Sequence, residues 1–160
     1  MMSMLEQTNR NQIVIFTLDE PRCALYLSAV ERVVRVVEIT LLPKAPEIVM
    51  GIINFQGRVI PVIDVRKRFR LPAREMHLDD QFIIARASRR TVALAVDSVS
   101  GAHELEDGGI ESVEQSLPFA EHIQGVAKTK DGIVLIYDLD KFLSLDEERA
   151  LDEALSGGAK

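Results

Sequence analysis

Residues 51–65 read G-I-I-N-F-Q-G-R-V-I-P-V-I-D-V, two apolar runs joined by Asn54-Phe55-Gln56-Gly57. Asn and Gly accept positive φ at a tight turn, and the flanking Ile and Val suit a half-buried pleated surface, so the stretch is expected to be a β-hairpin. Pro61 interrupts the second run. A proline cannot donate to a ladder, so its strand should lie at a sheet edge, carry a bulge or turn the missing donor outward. An apolar edge invites another chain, because its backbone groups are unpaired and its side chains are bare hydrocarbon. The hairpin is therefore expected to be a contact surface as well as a structural element.

Around it stand 160 residues, 47% apolar and 28% charged, with a formal net charge of -6. That length fits one domain or two closely packed subdomains, and folding can bury roughly 70% of the surface the unfolded chain exposes. A net negative charge gives no global pull toward nucleic acid or an anionic membrane surface. The single cysteine, Cys23, lies in an apolar run, which excludes a disulfide framework and points to a buried, inert thiol. Nowhere do eighteen apolar residues follow one another, and residues 1–11 hold no continuous hydrophobic run. The expectation is a cytoplasmic protein without membrane insertion, with a flexible N-terminal arm over residues 1–11.

Two β-rich runs, residues 13–18 and 23–27, flank the turn Asp19-Glu20-Pro21-Arg22 and should form a first hairpin. Ser28-Ala29-Val30-Glu31 has capping-box spacing and predicts a turn or two of helix. The chain should then extend through Val37, Ile39 and Leu41 until Pro43 and Pro46 end the segment. Asp64 is placed to cap a short helix over residues 65–69. Residues 71–80 are polar and read as a surface connector.

The pattern then recurs. Residues 81–99 lie on residues 12–30 at an offset of 69, and residues 125–145 lie on residues 51–71 at an offset of 74. Cys23-Ala24-Leu25 thus falls opposite Val92-Ala93-Leu94, and Asp64 opposite Asp138. Each half, about 12–71 and 81–145, has some five short strands and a closing helix, enough for a small barrel. The fold class expected is mainly β, two small five-stranded barrels packed together with short connecting helices. Over residues 146–160 comes a C-terminal helix and tail: Ser144-Leu145-Asp146-Glu147 is a capping-box pattern, and Ala150, Leu151, Ala154 and Leu155 form a stripe that should lie on a barrel, with residues 156–160 as the tail.

Catalysis finds little support. His77, His103 and His122 stand in separate polar contexts without ligand spacing, so no metal site is expected. No Gly-rich phosphate loop, nucleophile elbow or paired cysteine and base occurs, so neither a cofactor nor a catalytic residue is assigned. Asp64 and Asp138 could form a carboxylate dyad across a pseudo-twofold axis, but a branched apolar residue follows each where a helix begins, and capping accounts for both. Arg66, Lys67, Arg68, Arg70 and Arg74 make a basic patch of the kind that tracks nucleic-acid strands. The two tyrosines and six phenylalanines lie mostly in apolar runs, which leaves no stacking platform, so nucleic acid is not an expected partner. The apolar hairpin remains as the leading clue, and the expected activity is contact with other proteins.

Residues 46–66, P-E-I-V-M-G-I-I-N-F-Q-G-R-V-I-P-V-I-D-V-R, resemble the signature of CheW-like domains, the coupling proteins of bacterial chemotaxis. V-A-L-A-V-D-S-V-S-G at residues 92–101 and I-Q-G-V-A-K-T-K-D-G-I-V-L-I-Y-D-L-D-K-F-L at residues 123–143 follow in the family's order, and the resemblance runs over residues 12–145. It implies SH3-like barrels and a free-standing adaptor that links the cytoplasmic tips of chemoreceptors to the regulatory domain of a CheA-type histidine kinase, recruited to membrane receptor arrays. It places a receptor helix in the groove between the barrels, at Val30, Val33, Val96 and Val99. It places the kinase on the first barrel's strand surface, at Ile53, Phe55, Gly57 and Val59, with Leu117 and Phe119 as a second contact. Two positions near the implied receptor surface depart from the family. Gln56 stands where the N-x-R-G turn commonly has arginine, and Arg32 where many members have glutamate. The receptor is thus left open, and a scaffold of a parallel pathway such as surface motility is the alternative.

Overall fold

Four segments are apolar at consecutive positions, as a strand covered on both faces must be. They are Ile13-Val14-Ile15-Phe16, Cys23-Ala24-Leu25, Phe82-Ile83-Ile84-Ala85 and Val92-Ala93-Leu94, all buried. The computed structural model describes residues 12–19, 22–105, 110–111, 122–130 and 132–157. Its strands are β1 (Gln12–Thr17), β2 (Arg22–Tyr26), β3 (Val30–Arg35), β4 (Val49–Phe55), β5 (Arg58–Ile63), β6 (Gln81–Arg86), β7 (Thr91–Val96), β8 (Ser98–Glu104), β9 (Ile110–Glu111), β10 (Ile123–Thr129) and β11 (Gly132–Tyr137). Helix α1 (Val65–Arg68) follows β5, and α2 (Leu145–Gly157) comes after β11.

The strands form two SH3-like units, one ordered β8-β1-β2-β11-β10-β9 and the other β3-β6-β7-β5-β4. The first has six strands rather than five, because the two-residue β9 adds to β10. The halves of the sequence do not close separately, contrary to the expectation of one barrel per half. Hairpin β1–β2 pairs with β8 and β11 of the second half, and hairpin β6–β7 pairs with β3 and β5 of the first. The physical reason is the doubly apolar strands named above, which are covered on both faces only at the junction of the barrels.

Matched by the offsets of 69 and 74, the two sheets have the same order. Short parallel ladders close both: Val62 opposes Ala93 in one, and Ile136 opposes Ala24 in the other. Register shifts also recur at matched places, at Glu31 and Ser100 and again at Met50 and Gln124.

Side chains alternate between two destinations. Ile13, Ile15, Ala24 and Ile136 fill one barrel, while Ile53, Ile60, Val62, Phe82 and Ile84 fill the other. Phe16, Cys23, Leu25, Ile83, Leu94 and Phe142 join a larger cluster between them. There burial pushes the Cys23 thiol up to about 12, which keeps it un-ionised and inert. Phe69 stacks on Tyr137 with ring centroids 4.4 Å apart and meets Phe142 edge-on at 5.7 Å.

Local expectations fared unevenly. The capping-box spacing at Ser28 starts no α-helix: a 3-10 turn, Leu27–Ala29, leads straight into β3 without a side-chain cap. The pairing of β3 with β6 outweighs the local signal. Pro61 lies on β5, which is an interior strand, but β7 pairs only from Val62 onward, so the missing donor falls where β5 has β4 alone as neighbour. At Ser144 the capping box does form: Glu147 N donates to Ser144 Oγ at 3.1 Å, and Ser144 N to Glu147 Oε1 at 2.8 Å. Leu151 and Ala154 bury one face of α2. Arg68 donates to Glu147, and Arg90 to Glu148 and Asp152. The helix takes in Ser156 and Gly157, which the sequence assigned to the tail.

Residues 71–80 are more than a surface connector. Arg74 donates to both Asp80 oxygens at 3.0 and 2.8 Å and also to Asp97. Arg66 donates to both Asp19 oxygens at 2.8 and 2.7 Å and to Asp97 Oδ2 at 2.7 Å. Burial alone would raise the Asp97 carboxyl, but Arg66, the Asp19 amide and Arg74 hold it below its ordinary value of 3.8. Asp80 behaves alike, its burial outweighed by Arg74 and the His77 amide.

Two predictions follow from this packing. Gly51 has φ +151, and a Cβ there would lie 2.4 Å from the Thr40 carbonyl oxygen. That oxygen accepts from Ile52 N across the outer edge of β4. Gly51→Ala should therefore cost about 1 to 3 kcal/mol in urea unfolding, by steric overlap. In the ion network, carboxyls held low in the native state stabilise it fully above their unfolded value, and that stabilisation is lost as pH falls through the lower native values. The urea midpoint should thus drop as pH falls from 5 toward 2, and Arg66→Leu should be less stable by about 2 kcal/mol at pH 7 with a shallower acid slope.

Candidate partner-binding surfaces

In the β4–β5 hairpin, Phe55 pairs with Arg58 and Gln56-Gly57 makes the two-residue turn. Their φ values of 52° and 80° are those of a type I′ turn, which matches the twist of the strands it joins. Asn54 Oδ1 accepts from Gly57 N at 3.0 Å and fixes the turn. Strand alternation then sorts the expected kinase contacts. Val59 points outward and is 60% exposed, whereas Ile53 is 2% exposed and fills the barrel. Ile53 is thus corrected from a contact residue to a core residue: it shares the inward face with Ile60 and Val62.

Phe55 is half-buried against the barrel cluster. The Arg32 and Arg58 guanidinium carbons lie 5.9 and 5.8 Å from its ring centroid, within cation–π range. Arg58 donates to Glu31 at 2.9 Å, and Arg86 lies 3.8 Å from the same carboxylate. Arg58 and Arg86 were not singled out from the sequence, because strand pairing, not chain proximity, brings them to Glu31. Gln56 is exposed at the hairpin tip.

The expected groove residues divide too. Val30 and Val33 on β3 and Val99 on β8 are half-buried, and all pack on the cluster between the barrels. Val99 N donates to Gln81 Oε1 at 2.9 Å, and Gln81 pairs with Arg35 at the end of β3, which links the two strands through β6. Val96 is 2% exposed and belongs to the cluster itself, so it supports a groove without presenting surface. Leu117 and Phe119 lie outside the described residues.

Elsewhere the charged groups serve the fold. Asp64 accepts from Lys67 N at 3.0 Å and Asp138 from Asp140 N at 3.1 Å, both in capping roles. Arg66, Arg68 and Arg74 of the basic patch are held by carboxylates. A cleft of about 900 Å³ opens beside α1 and α2, bordered by Arg68, Ser88, Asp140 and Glu147. Its charges are of both signs. Among the described residues no group of three His, Cys, Asp or Glu is arranged to hold a metal, and no helix is long and apolar enough to cross a membrane.

Comparison with known proteins agrees over nearly the whole chain. Residues 12–147 match the model of the CheW-like domain. The chain is 27% identical to the chemotaxis protein CheW of Thermotoga maritima over 89% of its length and 94% of that protein's. It is 26% identical to the CheW of Treponema pallidum, covering 88% and 86% of the two chains. The crystal structure of the scaffolding protein TtCheW from Thermoanaerobacter tengcongensis superposes with a TM-score of 0.78 at 32% identity, over 86% of this chain and 90% of that one. With the exchanged hairpins, the β4–β5 turn and the family match in agreement, the chain belongs to the CheW-like family.

Proposed function

We propose that this chain is a non-enzymatic chemotaxis scaffold that couples the cytoplasmic tips of chemoreceptors to the regulatory domain of a CheA-type histidine kinase, on the cytoplasmic side of membrane receptor arrays. The observation that carries this reading is the hairpin: Val59 stands 60% exposed beside a half-buried Phe55 on a turn of fixed geometry. Exposed hydrocarbon on a rigid hairpin is suited to a protein partner. The kinase surface in this reading comprises Phe55, Gly57 and Val59, with Leu117 and Phe119 as the second contact. The receptor surface comprises Val30, Val33 and Val99, where an apolar helix face would complete their burial.

Val59→Glu should weaken binding of the kinase regulatory domain at least about tenfold by calorimetry, since a carboxylate replaces a side chain whose full burial is worth roughly 1.5 to 3 kcal/mol. Gly57→Glu meets no atom within 4 Å of its Cβ but must adopt φ +80, and it should weaken binding similarly. Unchanged affinity in both folded variants would remove the hairpin from the kinase interface. Val30→Asp and Val99→Asp should abolish receptor recruitment in a vesicle pull-down while kinase binding persists. Equal loss of both partners would show that the two surfaces are not separate.

A further inference from the structure

Three arginines of this fold face two carboxylates each. Arg66 faces Asp19 and Asp97, Arg74 faces Asp80 and Asp97, and Arg90 faces Glu148 and Asp152. Beside the β4–β5 hairpin the ratio inverts. Glu31 alone serves both Arg58 and Arg86, and Arg32 lies over Phe55, outside every ion pair among the described residues. Three guanidiniums against one carboxylate make a local excess of positive charge in a chain whose net charge is -6.

These side chains are also accessible. The Arg58 and Arg86 side chains are 43% and 72% exposed, and Arg32 is exposed as well. The two guanidiniums over Phe55 border its ring, so an apolar group and a cationic rim share one spot. Guanidinium pairs with carboxylate in a planar, two-bonded geometry, and an aromatic ring beside it offers a seat for an apolar neighbour.

We propose that Arg32 and Arg58, set over Phe55, and Arg86, which shares Glu31 with Arg58, form a docking site for an acidic segment of the kinase regulatory domain in which a carboxylate is flanked by an apolar side chain. This rests on the adaptor reading of the hairpin. It moves Arg32 from the receptor surface to the kinase surface, because its guanidinium lies against Phe55 and its neighbour Val33 faces the junction of the barrels. The rim charges steer the partner to the hairpin, and the hydrocarbon of Val59 and Phe55 holds it.

The test measures association and dissociation of the regulatory domain of the CheA-type kinase from the same organism, by surface plasmon resonance at low and high salt. The chains compared are the unsubstituted protein, Arg32→Glu, Arg32→Lys, Arg58→Glu and Val59→Glu, each checked for fold by circular dichroism. The expected result is an on-rate that falls with salt, a drop of about tenfold at low salt for Arg32→Glu and for Arg58→Glu, and near-native steering for Arg32→Lys. Affinity of Arg32→Glu for a receptor-tip peptide should not change. A salt-insensitive on-rate, or native kinase binding by Arg32→Glu, overturns the acidic-segment site. If Val59→Glu still loses binding in that case, the hairpin reading survives and only this inference falls. If Val59→Glu also binds normally, the adaptor surface itself is wrong. Should Arg58→Glu prove unfolded because Glu31 loses its partner, the Arg32 pair alone decides the outcome.

Discussion

Two short parallel ladders govern the architecture. Val62 with Ala93 and Ile136 with Ala24 each join the closing strand of one half to a hairpin from the other. A parallel pair cannot be made by a tight turn and requires a long connection. Here the connection is the rest of the molecule, so neither barrel closes until both halves are present. The consequence is mechanical. Surfaces on β3, on the β4–β5 hairpin and on β8 are held in a fixed relation, because each barrel is closed by a ladder between the two halves and pulling the barrels apart would open the shared cluster of Phe16, Leu25, Leu94 and Phe142. Such rigidity suits the adaptor role proposed above. Long-range pairing also delays folding, since loop closure must precede the contacts that repay it.

The matched halves conserve contacts more strictly than chemistry. Asp19 and Arg66 form an ion pair, and the positions that match them by the two offsets are Ser88 and Asp140. Those residues also touch: Ser88 N donates to Asp140 at 2.7 Å. The geometry requires some bond between the first hairpin turn and the helical turn of the same half, but not a particular charge. Likewise Val59 and Ile133 are matched and both stand exposed, at 60% and 62%. Their turns differ. Gln56-Gly57 is flanked by Phe55 and Arg58, whereas the β10–β11 turn is flanked by Thr129 and Gly132. Lys128 lies opposite Ile133 at the second tip, so cationic groups stand beside both, but the aromatic ring accompanies the exposed hydrocarbon at the first tip, where Phe55 flanks the turn.

Much of this was legible in the sequence, and what was not has a common cause. Local signals placed the β4–β5 hairpin, the caps at Asp64 and Ser144 and the buried Cys23, because each depends on residues a few positions apart. The register that matches the halves was legible as well, through consecutive apolar residues. That same pattern should have warned that β1–β2 and β6–β7 need cover on both faces, which a self-contained five-stranded barrel would not provide. Pairing across the chain decided the rest. Ser28 has a good capping pattern but caps no α-helix and lies within a single 3-10 turn, because β3 must pair with β6. Ile53 and Val96 were read as surface, although alternation along β4 and β7 turns both inward. The polar segment 71–80 looked like a plain connector, since its worth lies in Arg74 joining Asp80 to the distant Asp97.

The placement of charge also answers how an apolar hairpin avoids its own kind. A second copy docking hairpin to hairpin about a twofold axis would set Arg32, Arg58 and Arg86 against the same three residues. Like charges brought together at a desolvating contact cost several kcal/mol, on the order of what burying a valine gains. Glu31 cannot relieve the conflict, being already shared between Arg58 and Arg86. The arginine rim therefore opposes self-association of the hydrocarbon it surrounds, while the same rim favours a surface that brings carboxylates of its own. Exposed Val59 is tolerable for that reason. Its neighbours discriminate by repulsion before its own contacts contribute to binding.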